Sequence, residues 1–247
     1  MEVRDEKAFV KDKKIAFLGC INGILLYTLV WAEVVKFCMQ LVLGDNYKTF
    51  VTEKESFALL ICMCIAVLLT MITSIFIAKP ENIINSFKKV KKEDIKFVFA
   101  SFGAMLLFNF IYNLTLMTFK VDIAGGNANQ TEVISRMQTN IPLAFFTMVV
   151  LAPICEEITY RYFLYGGVAK YNRKLAIIVS GFVFMLVHAT FSFDSGINQI
   201  LRELLFLPPY MFAGMVLANA YDKKSNLLIP ILIHALNNGF SFILSII

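Results

Sequence analysis

Charged side chains are scarce in this chain. Asp, Glu, Lys and Arg make up 17% of its 247 residues, whereas soluble domains contain about 25%. Apolar residues reach 58% and stand in long continuous runs instead of alternating with polar residues. A soluble fold would leave part of these runs uncovered, so the composition excludes a soluble domain and predicts that the surplus apolar surface faces lipid.

Other common features are also missing. The five cysteines all lie in apolar stretches, which gives no indication of a disulfide framework. No small-residue cleavage site follows the charged leader, residues 1–14, so the first apolar run is expected to be an uncleaved span. The net charge of +5 comes from lysines in short blocks between apolar runs. That placement suits anionic lipid headgroups and predicts a lipid bilayer, and no nucleic acid, as the partner.

Seven apolar runs have about the length that crosses a bilayer as a helix. They predict an all-α, polytopic transmembrane helix bundle. The sixth run contains Pro208-Pro209, which is expected to kink it. The predicted spans are Ile15–Leu43, Ser56–Ala78, Phe97–Phe119, Ile141–Leu164, Leu175–Ser192, Ile200–Ala220 and Leu227–Ile247.

The lysines and arginines predict the orientation. Sixteen lie in the leader and in the loops 79–96, 165–174 and 221–226, and four lie in the alternate loops. Positive residues accumulate on the cytoplasmic side, so the N-terminus is expected in the cytoplasm and the C-terminus outside. An even number of spans, with the sixth misread, is the alternative. We expect two parts: three N-terminal spans with their loops (1–140) and a catalytic core of four spans (141–247).

Two adjacent carboxylates lie in the fourth predicted span. Glu157 and Arg161 are four residues apart with the acid first, the favoured order for an ion pair within a helix. Glu156 points about 100° away around the helix and lacks that partner. Ionisable groups are costly inside a membrane and mark functional sites there. The spacing therefore predicts that Glu157 is held by Arg161, which leaves Glu156 available for chemistry.

Both histidines of the chain, His188 and His234, fall in predicted spans. Asn238 follows His234 by one helical turn and shares its face. A single histidine in a membrane helix is most often a hydrogen-bond partner for a neighbouring helix. Both histidines, however, are predicted at depths that Glu156 also reaches. A carboxylate, two imidazoles and an amide in one pocket can activate water and stabilise an oxyanion, or bind a metal such as zinc.

These segments resemble the motifs of the CAAX-protease and bacteriocin-processing (CPBP, or Abi) family. The family pattern is EExxxR, then FxxxH, then HxxxN or HxxxD, each on a separate membrane helix. The sequence has Glu156-Glu157…Arg161, Phe184…His188 and His234…Asn238 in that order. The resemblance covers about residues 140–247, and the first three spans show no specific similarity.

The resemblance implies an intramembrane endopeptidase acting on a small membrane-associated peptide or propeptide, in the cytoplasmic membrane of a bacterium. It implies that Glu156 is the general base assisted by His188, and that His234 and Asn238 hold the oxyanion. Glu157, Arg161 and Phe184 are then supporting residues. Metal dependence stays open, because the chain lacks the His-Glu-x-x-His signature. If a metal is bound, its ligands are Glu156, His188 and His234.

Two other functions remain open at this point. The first is a non-catalytic protein, such as a bacteriocin immunity factor or a regulatory scaffold, in which the same residues lock helices together. The second is an ion-coupled carrier with a buried carboxylate that relays protons. The inverted repeat that such carriers contain is not visible in the sequence.

Overall fold

The structure is a computed structural model that describes residues 9–121, 128–189 and 197–246. Within these ranges every regular element is a helix, which confirms the predicted all-α class. Wide π-helical turns interrupt the first helix at Ile21–Trp31 and the seventh at Phe146–Leu151 and Ile158–Tyr165. The helices are α1 (13–43), α2 (Asn46–Glu53), α3 (Glu55–Ala78), α4 (Pro80–Ser86), α5 (Lys92–Thr118), α6 (Ala128–Met137), α7 (Ile141–Ala169), α8 (Arg173–Val187), α9 (Ile197–Phe206), α10 (Pro208–Lys224) and α11 (Leu228–Leu244).

Four helical stretches are long and apolar enough to cross a membrane: α3, α5, α7 and the α9–α10 stretch over Ile200–Lys224. A shorter apolar helix, α11, follows them. All five coincide with predicted spans, and the helices α1 and α8 lie where the first and fifth spans were predicted. The chain is a multi-pass membrane protein. The count of seven spans and the orientation stay predictions.

The helix boundaries agree with the prediction at the sixth span and differ from it at the fifth. The sixth span lies within the apolar stretch Ile200–Lys224, and its expected kink falls where α9 ends at Phe206 and Pro208 opens α10. Proline suits a first turn because its missing N–H would have no partner there. The fifth span was predicted to continue to Ser192, but α8 ends at Val187 and residues 190–196 lie outside the described part of the chain. The ring of His188 binds a carbonyl group of the last turn of α8, which satisfies one of the acceptors that a helix end leaves open.

The first helix packs directly on the second half of α7. At Gly19, an added Cβ would collide with the ring of Phe163, and at Gly23 it would collide with the side chain of Thr159. Small residues permit such close approach of membrane helices. The contact is reinforced on the other side of α1, where the buried amide of Asn22 donates to the Ser74 hydroxyl of α3 at 2.9 Å.

The helices α8 and α10 meet just as closely. A Cβ at Gly214 would lie 2.8 Å from the Cα atom of Gly181 and 2.9 Å from Cβ of Phe184. The Ser180 hydroxyl donates to the carbonyl oxygen of Tyr160 at 3.0 Å, which ties α8 to α7 as well. Phe184 and the histidine that follows α8 are therefore held between α7 and α10.

A polar network closes the end of the bundle that carries the 165–174 and 221–226 loops. The guanidinium of Arg173 donates to both carboxylate oxygens of Asp222, at 2.8 and 2.5 Å, and the Tyr165 hydroxyl donates to the same carboxylate. The hydrogen bond from Arg173 to the Asp222 carboxylate raises the pKa of the Arg173 guanidinium. Phe9 packs on the rings of Tyr165 and Tyr221. This network anchors the N-terminal segment and the helices α7, α8 and α10 to one another.

Candidate active site

The paired carboxylates of α7 have different surroundings. Arg161 Nε lies 2.8 Å from Glu157 Oε2, and both side chains are fully buried. Glu156 makes no such pair, and its side chain is 26% exposed. The arrangement is the one expected from the four-residue spacing. The buried guanidinium therefore fixes the position of the Glu157 carboxylate, whereas Glu156 has no such arginine partner.

A second partner of Glu157 comes from α11. The Nδ1 atom of His234 lies 2.9 Å from Glu157 Oε1. A carboxylate beside a buried guanidinium accepts hydrogen bonds. The Nδ1 atom of His234 therefore carries a hydrogen and donates a hydrogen bond to Glu157. The Nε2 atom then faces Glu156, at 3.8 Å from Oε2. That separation is too long for a hydrogen bond, so Nε2 of His234 and Oε2 of Glu156 can each bind another molecule placed between them.

His188 is oriented by the last turn of α8. Its Nδ1 atom lies 2.7 Å from the carbonyl oxygen of Phe184. A carbonyl only accepts, so Nδ1 carries the hydrogen and the Nε2 atom of the neutral ring is an acceptor. The ring stacks on Tyr210 of α10 with centroids 4.6 Å apart. The tautomer and the plane of the ring are thus both set by neighbouring groups.

Phe184 forms the apolar wall of the cluster. Its ring contacts both imidazoles, with centroids 4.5 Å from His188 and 5.6 Å from His234. It also meets Tyr160 edge-on, and the guanidinium of Arg161 lies over its face at 4.9 Å. Phe184 therefore lies between the buried pair of Glu157 with Arg161 and the ring of His188. It also sets the spacing of the two imidazoles.

Asn238 lies one turn after His234 but makes its hydrogen bond to the backbone. Its Nδ2 atom donates to the carbonyl oxygen of Met148 on α7 at 3.0 Å. The carbonyl of Met148 lies in the π-helical stretch, where a wide turn exposes backbone acceptors. Asn238 therefore ties α11 to α7. That bond uses one of its two amide hydrogens.

Buried polar atoms without hydrogen bonds are concentrated here. Glu156 Oε2 is buried and has no hydrogen-bond partner among the described residues. The guanidinium nitrogens of Arg161 also lack an aligned partner there, although Nε is close to Glu157. Leaving such groups unpaired in an apolar medium costs roughly 1–3 kcal/mol each. Native structures tolerate this mainly at functional sites.

The structure thus brings together six of the seven residues singled out in the sequence, and it places Asn238 beside them on α11. The metal set that the sequence allowed, Glu156 with His188 and His234, is not assembled: within the described residues, no group of three or more His, Cys, Asp and Glu side chains is arranged to hold a metal ion. Sequence reasoning missed Tyr210 and the bond between Glu157 and His234. Neither had a local signal, because each contact joins residues far apart in the chain.

Comparison with known proteins finds similar sequences for the part of the chain that contains these residues. Residues 138–240 match the family described as type II CAAX prenyl endopeptidase Rce1-like. The membrane-embedded CAAX protease MroQ of Staphylococcus aureus (strain USA300) is 25% identical over 205 residues, which cover 79% of this chain and 76% of MroQ. The UPF0177 protein YxdF of Lactococcus lactis subsp. lactis (strain IL1403) is 24% identical over 155 residues, 61% of this chain and 78% of YxdF.

A putative membrane peptidase, YdiL of Bacillus subtilis (strain 168), is 27% identical over 123 residues, which cover 49% of this chain and 45% of YdiL. No solved structure matches the chain. The matched region contains all three motifs and begins just before α7. The comparisons confirm the resemblance stated from the motifs, and they identify the chain as a multi-pass membrane protein of bacteria.

Proposed function

We propose that the protein is an intramembrane endopeptidase, because its residues 138–240 match the type II CAAX prenyl endopeptidase Rce1-like family and a relative 25% identical over 205 residues is named a membrane-embedded CAAX protease. In this proposal it hydrolyses a peptide bond in a small membrane-associated peptide or propeptide. The attacking water is activated by Glu156. The region 141–247, with its four predicted spans, forms the catalytic core, and the predicted spans of residues 1–140 support it.

One observation carries the proposal. The Oε2 atom of Glu156 is buried without a hydrogen-bond partner among the described residues, and it lies 3.8 Å from the Nε2 atom of an imidazole that Glu157 orients. An unsatisfied carboxylate oxygen beside an oriented imidazole is a poor structural contact and a suitable place for a reacting water.

Two groups prepare the water. Glu156 accepts one proton from it, since its carboxylate is the one without a fixed counter-ion. The Nε2 atom of His188 accepts a hydrogen bond from the same water, because Nδ1 of that ring is committed to the Phe184 carbonyl. The water oxygen then attacks the carbonyl carbon of the scissile bond.

The oxyanion that forms needs hydrogen-bond donors. In its protonated form, His234 presents Nε2–H toward the reacting group, and the carboxylate of Glu157 at Nδ1 stabilises the imidazolium. The second amide hydrogen of Asn238 is the other donor. With His234 protonated, Arg161 and His234 balance the charges of Glu156 and Glu157. A neutral cluster lowers the cost of holding four charges in a medium of low dielectric constant.

Collapse of the intermediate completes the reaction. The bond from carbon to nitrogen breaks, and the proton that Glu156 took from the water passes to the leaving amine. The products are a new carboxylic acid, which keeps the second hydrogen of the water, and a new amine, so atoms and protons balance without any other reactant.

The test is hydrolysis by the purified full-length protein in lipid nanodiscs, with a set of internally quenched hydrophobic peptides. Glu156→Gln keeps the shape of the side chain and removes the base, so we expect folded protein with turnover at least about 100-fold lower. Glu33→Gln is the matched control. Glu33 also lies in a predicted span, but it is 66% exposed and pairs with Lys36 at 2.6 Å, so its substitution is expected to leave turnover unchanged.

The same variants separate an enzyme from an immunity factor or scaffold. A scaffold needs only the shape and contacts of these helices, so Glu156→Gln would keep its function in cells. Full turnover in the folded Glu156→Gln protein would refute the role proposed for Glu156.

A further inference from the structure

We propose that Tyr27, on the first helix, is a positioning residue whose hydroxyl group binds the Glu156 carboxylate when that carboxylate is charged. The inference rests on the proposed role of Glu156 as the base. It extends the active site to a part of the chain, residues 1–137, that lies outside the family match.

The packing of α1 on α7 sets the position of Tyr27. Gly19 fits against Phe163, and Gly23, four residues later, fits against Thr159, four residues earlier on α7. The two helices therefore run in opposite directions in close contact. One further step of four along each helix pairs Tyr27 with Cys155. In the structure Tyr27 packs against the buried cluster formed by Cys155 and Leu151 of α7 and Val67 of α3.

Cys155 directly precedes Glu156, so the phenol ring of Tyr27 reaches the start of the paired carboxylates. Glu156 acts electrostatically on the hydroxyl group of Tyr27 and also on that of Tyr160. Tyr160 lies one turn after Glu156 on α7. The nearest described group of known distance is His234 of α11, whose Nε2 atom lies 3.8 Å from Glu156 Oε2.

The chemistry of the phenol fits this position. Its O–H can donate to a carboxylate, and such a hydrogen bond stabilises the charged form and fixes the direction of its lone pairs. The Tyr27 side chain is only partly buried, and in the proposed contact its hydroxyl binds the carboxylate directly or through one bridging water. Hydrogen bonds of catalytic groups often tighten only when substrate is bound.

The close approach at the two glycines explains why this residue comes from α1. Only a helix that packs without side chains at positions 19 and 23 brings the next turn against Cys155. On this account the first helix holds the base in place. It does not act only as a membrane anchor.

The experiment compares Tyr27→Phe with Tyr162→Phe in nanodiscs. Tyr162 lies on α7 like Glu156, but it is buried and packs in the cluster of Phe163 and Tyr165 at the end of α7. Both changes remove one oxygen and keep the ring. We expect Tyr27→Phe to lower kcat by about 10- to 100-fold, as for a lost hydrogen bond to a charged group. KM and the thermal midpoint are expected to stay unchanged, and Tyr162→Phe is expected to change none of the three.

A second measurement does not depend on turnover. The infrared band of the Glu156 carboxylate is assigned by its loss in Glu156→Gln, and we expect Tyr27→Phe, but not Tyr162→Phe, to shift it. An unshifted band in Tyr27→Phe would overturn the inference, whether or not a peptide is cleaved. If Tyr27→Phe shifts the band but the wild-type protein cleaves no peptide, the contact is supported and the proposed peptidase function fails.

Discussion

His234 Nδ1 on α11 lies 2.9 Å from Glu157 Oε1 on α7, a contact between residues 77 positions apart. The same carboxyl group meets Arg161 through its other oxygen. Glu157 therefore links a buried cation to an imidazole and fixes which ring nitrogen carries hydrogen. The two adjacent carboxylates therefore contact different sides of the same imidazole. Glu157 binds Nδ1 of His234, and Glu156 faces its Nε2 atom.

Removing the charge of Glu157 is expected to damage catalysis without removing the base. In Glu157→Gln the amide can still contact the ring of His234, but it no longer stabilises the imidazolium or favours one tautomer. We expect kcat to fall by at least about 100-fold, by analogy with the loss of the orienting acid in Ser-His-Asp enzymes. The measurement is steady-state hydrolysis, normalised to the folded fraction.

Asp222→Asn is the matched control for that variant. Asp222 is also a buried carboxylate paired with an arginine, but its partner is Arg173 in the network at the end of the bundle. Its loss is expected to lower the thermal midpoint and to leave kcat per folded molecule unchanged. Equal losses of kcat in both variants would show that Glu157 acts only through stability.

The wall formed by Phe184 offers a second prediction. Phe184→Leu keeps an apolar side chain but removes the flat ring between the two imidazoles, so both lose an aromatic neighbour worth about 0.5–1.5 kcal/mol. We expect kcat to fall about tenfold as the rings lose their fixed orientation. Circular dichroism is expected to show an unchanged helix content.

Phe108→Leu is the comparison for Phe184→Leu. Phe108 stacks on Phe212 with centroids 4.1 Å apart, in a contact between α5 and α10. It loses a similar aromatic contact outside the candidate site. Activity that falls equally in both variants would contradict the role assigned to Phe184.

Much of the site was predictable because its parts are local patterns. The ion pair of Glu157 with Arg161 follows from helical spacing, and the apolar runs gave the positions of the helices. The shared location of α7, α8 and α11 followed from motif order and from depth in the membrane. Each of these signals lies within one helix or in the order of the helices along the chain.

The contacts that the sequence did not reveal join distant residues. The stacking of His188 on Tyr210 depends on how α8 crosses α10 at Gly181 and Gly214, and no local pattern encodes that crossing. The end of α8 at Val187 was missed because the apolar run continues past it. There the ring of His188 binds the carbonyl oxygen of Phe184 in the last turn of the helix.

The orientation can be tested with two fusions after residue 247. Alkaline phosphatase folds to an active enzyme only outside the cytoplasm, because its disulfides form there. Green fluorescent protein reports a cytoplasmic terminus. An odd number of spans with a cytoplasmic N-terminus predicts an active phosphatase fusion and a dark fluorescent fusion. The opposite pattern would favour an even number of spans, with the α9–α10 stretch not crossing as predicted.

The packing of the first helix gives the last prediction. Gly19→Ala places a Cβ against the ring of Phe163, which is fully buried and cannot move away. Forcing an extra carbon into a close-packed contact costs about 1–3 kcal/mol, so we expect a lower thermal midpoint in detergent.

Gly103→Ala separates this effect from a change in helix propensity. A Cβ at Gly103 meets no atom within 4 Å, and alanine is favoured over glycine inside a helix by about 1 kcal/mol. That variant is expected to be as stable as the wild type or slightly more stable. If α1 were only loosely attached to α7, the two substitutions would shift the midpoint equally, and Tyr27 would then have no fixed position beside Glu156. A lower midpoint for Gly19→Ala alone would support the close packing that brings the first helix to the active site.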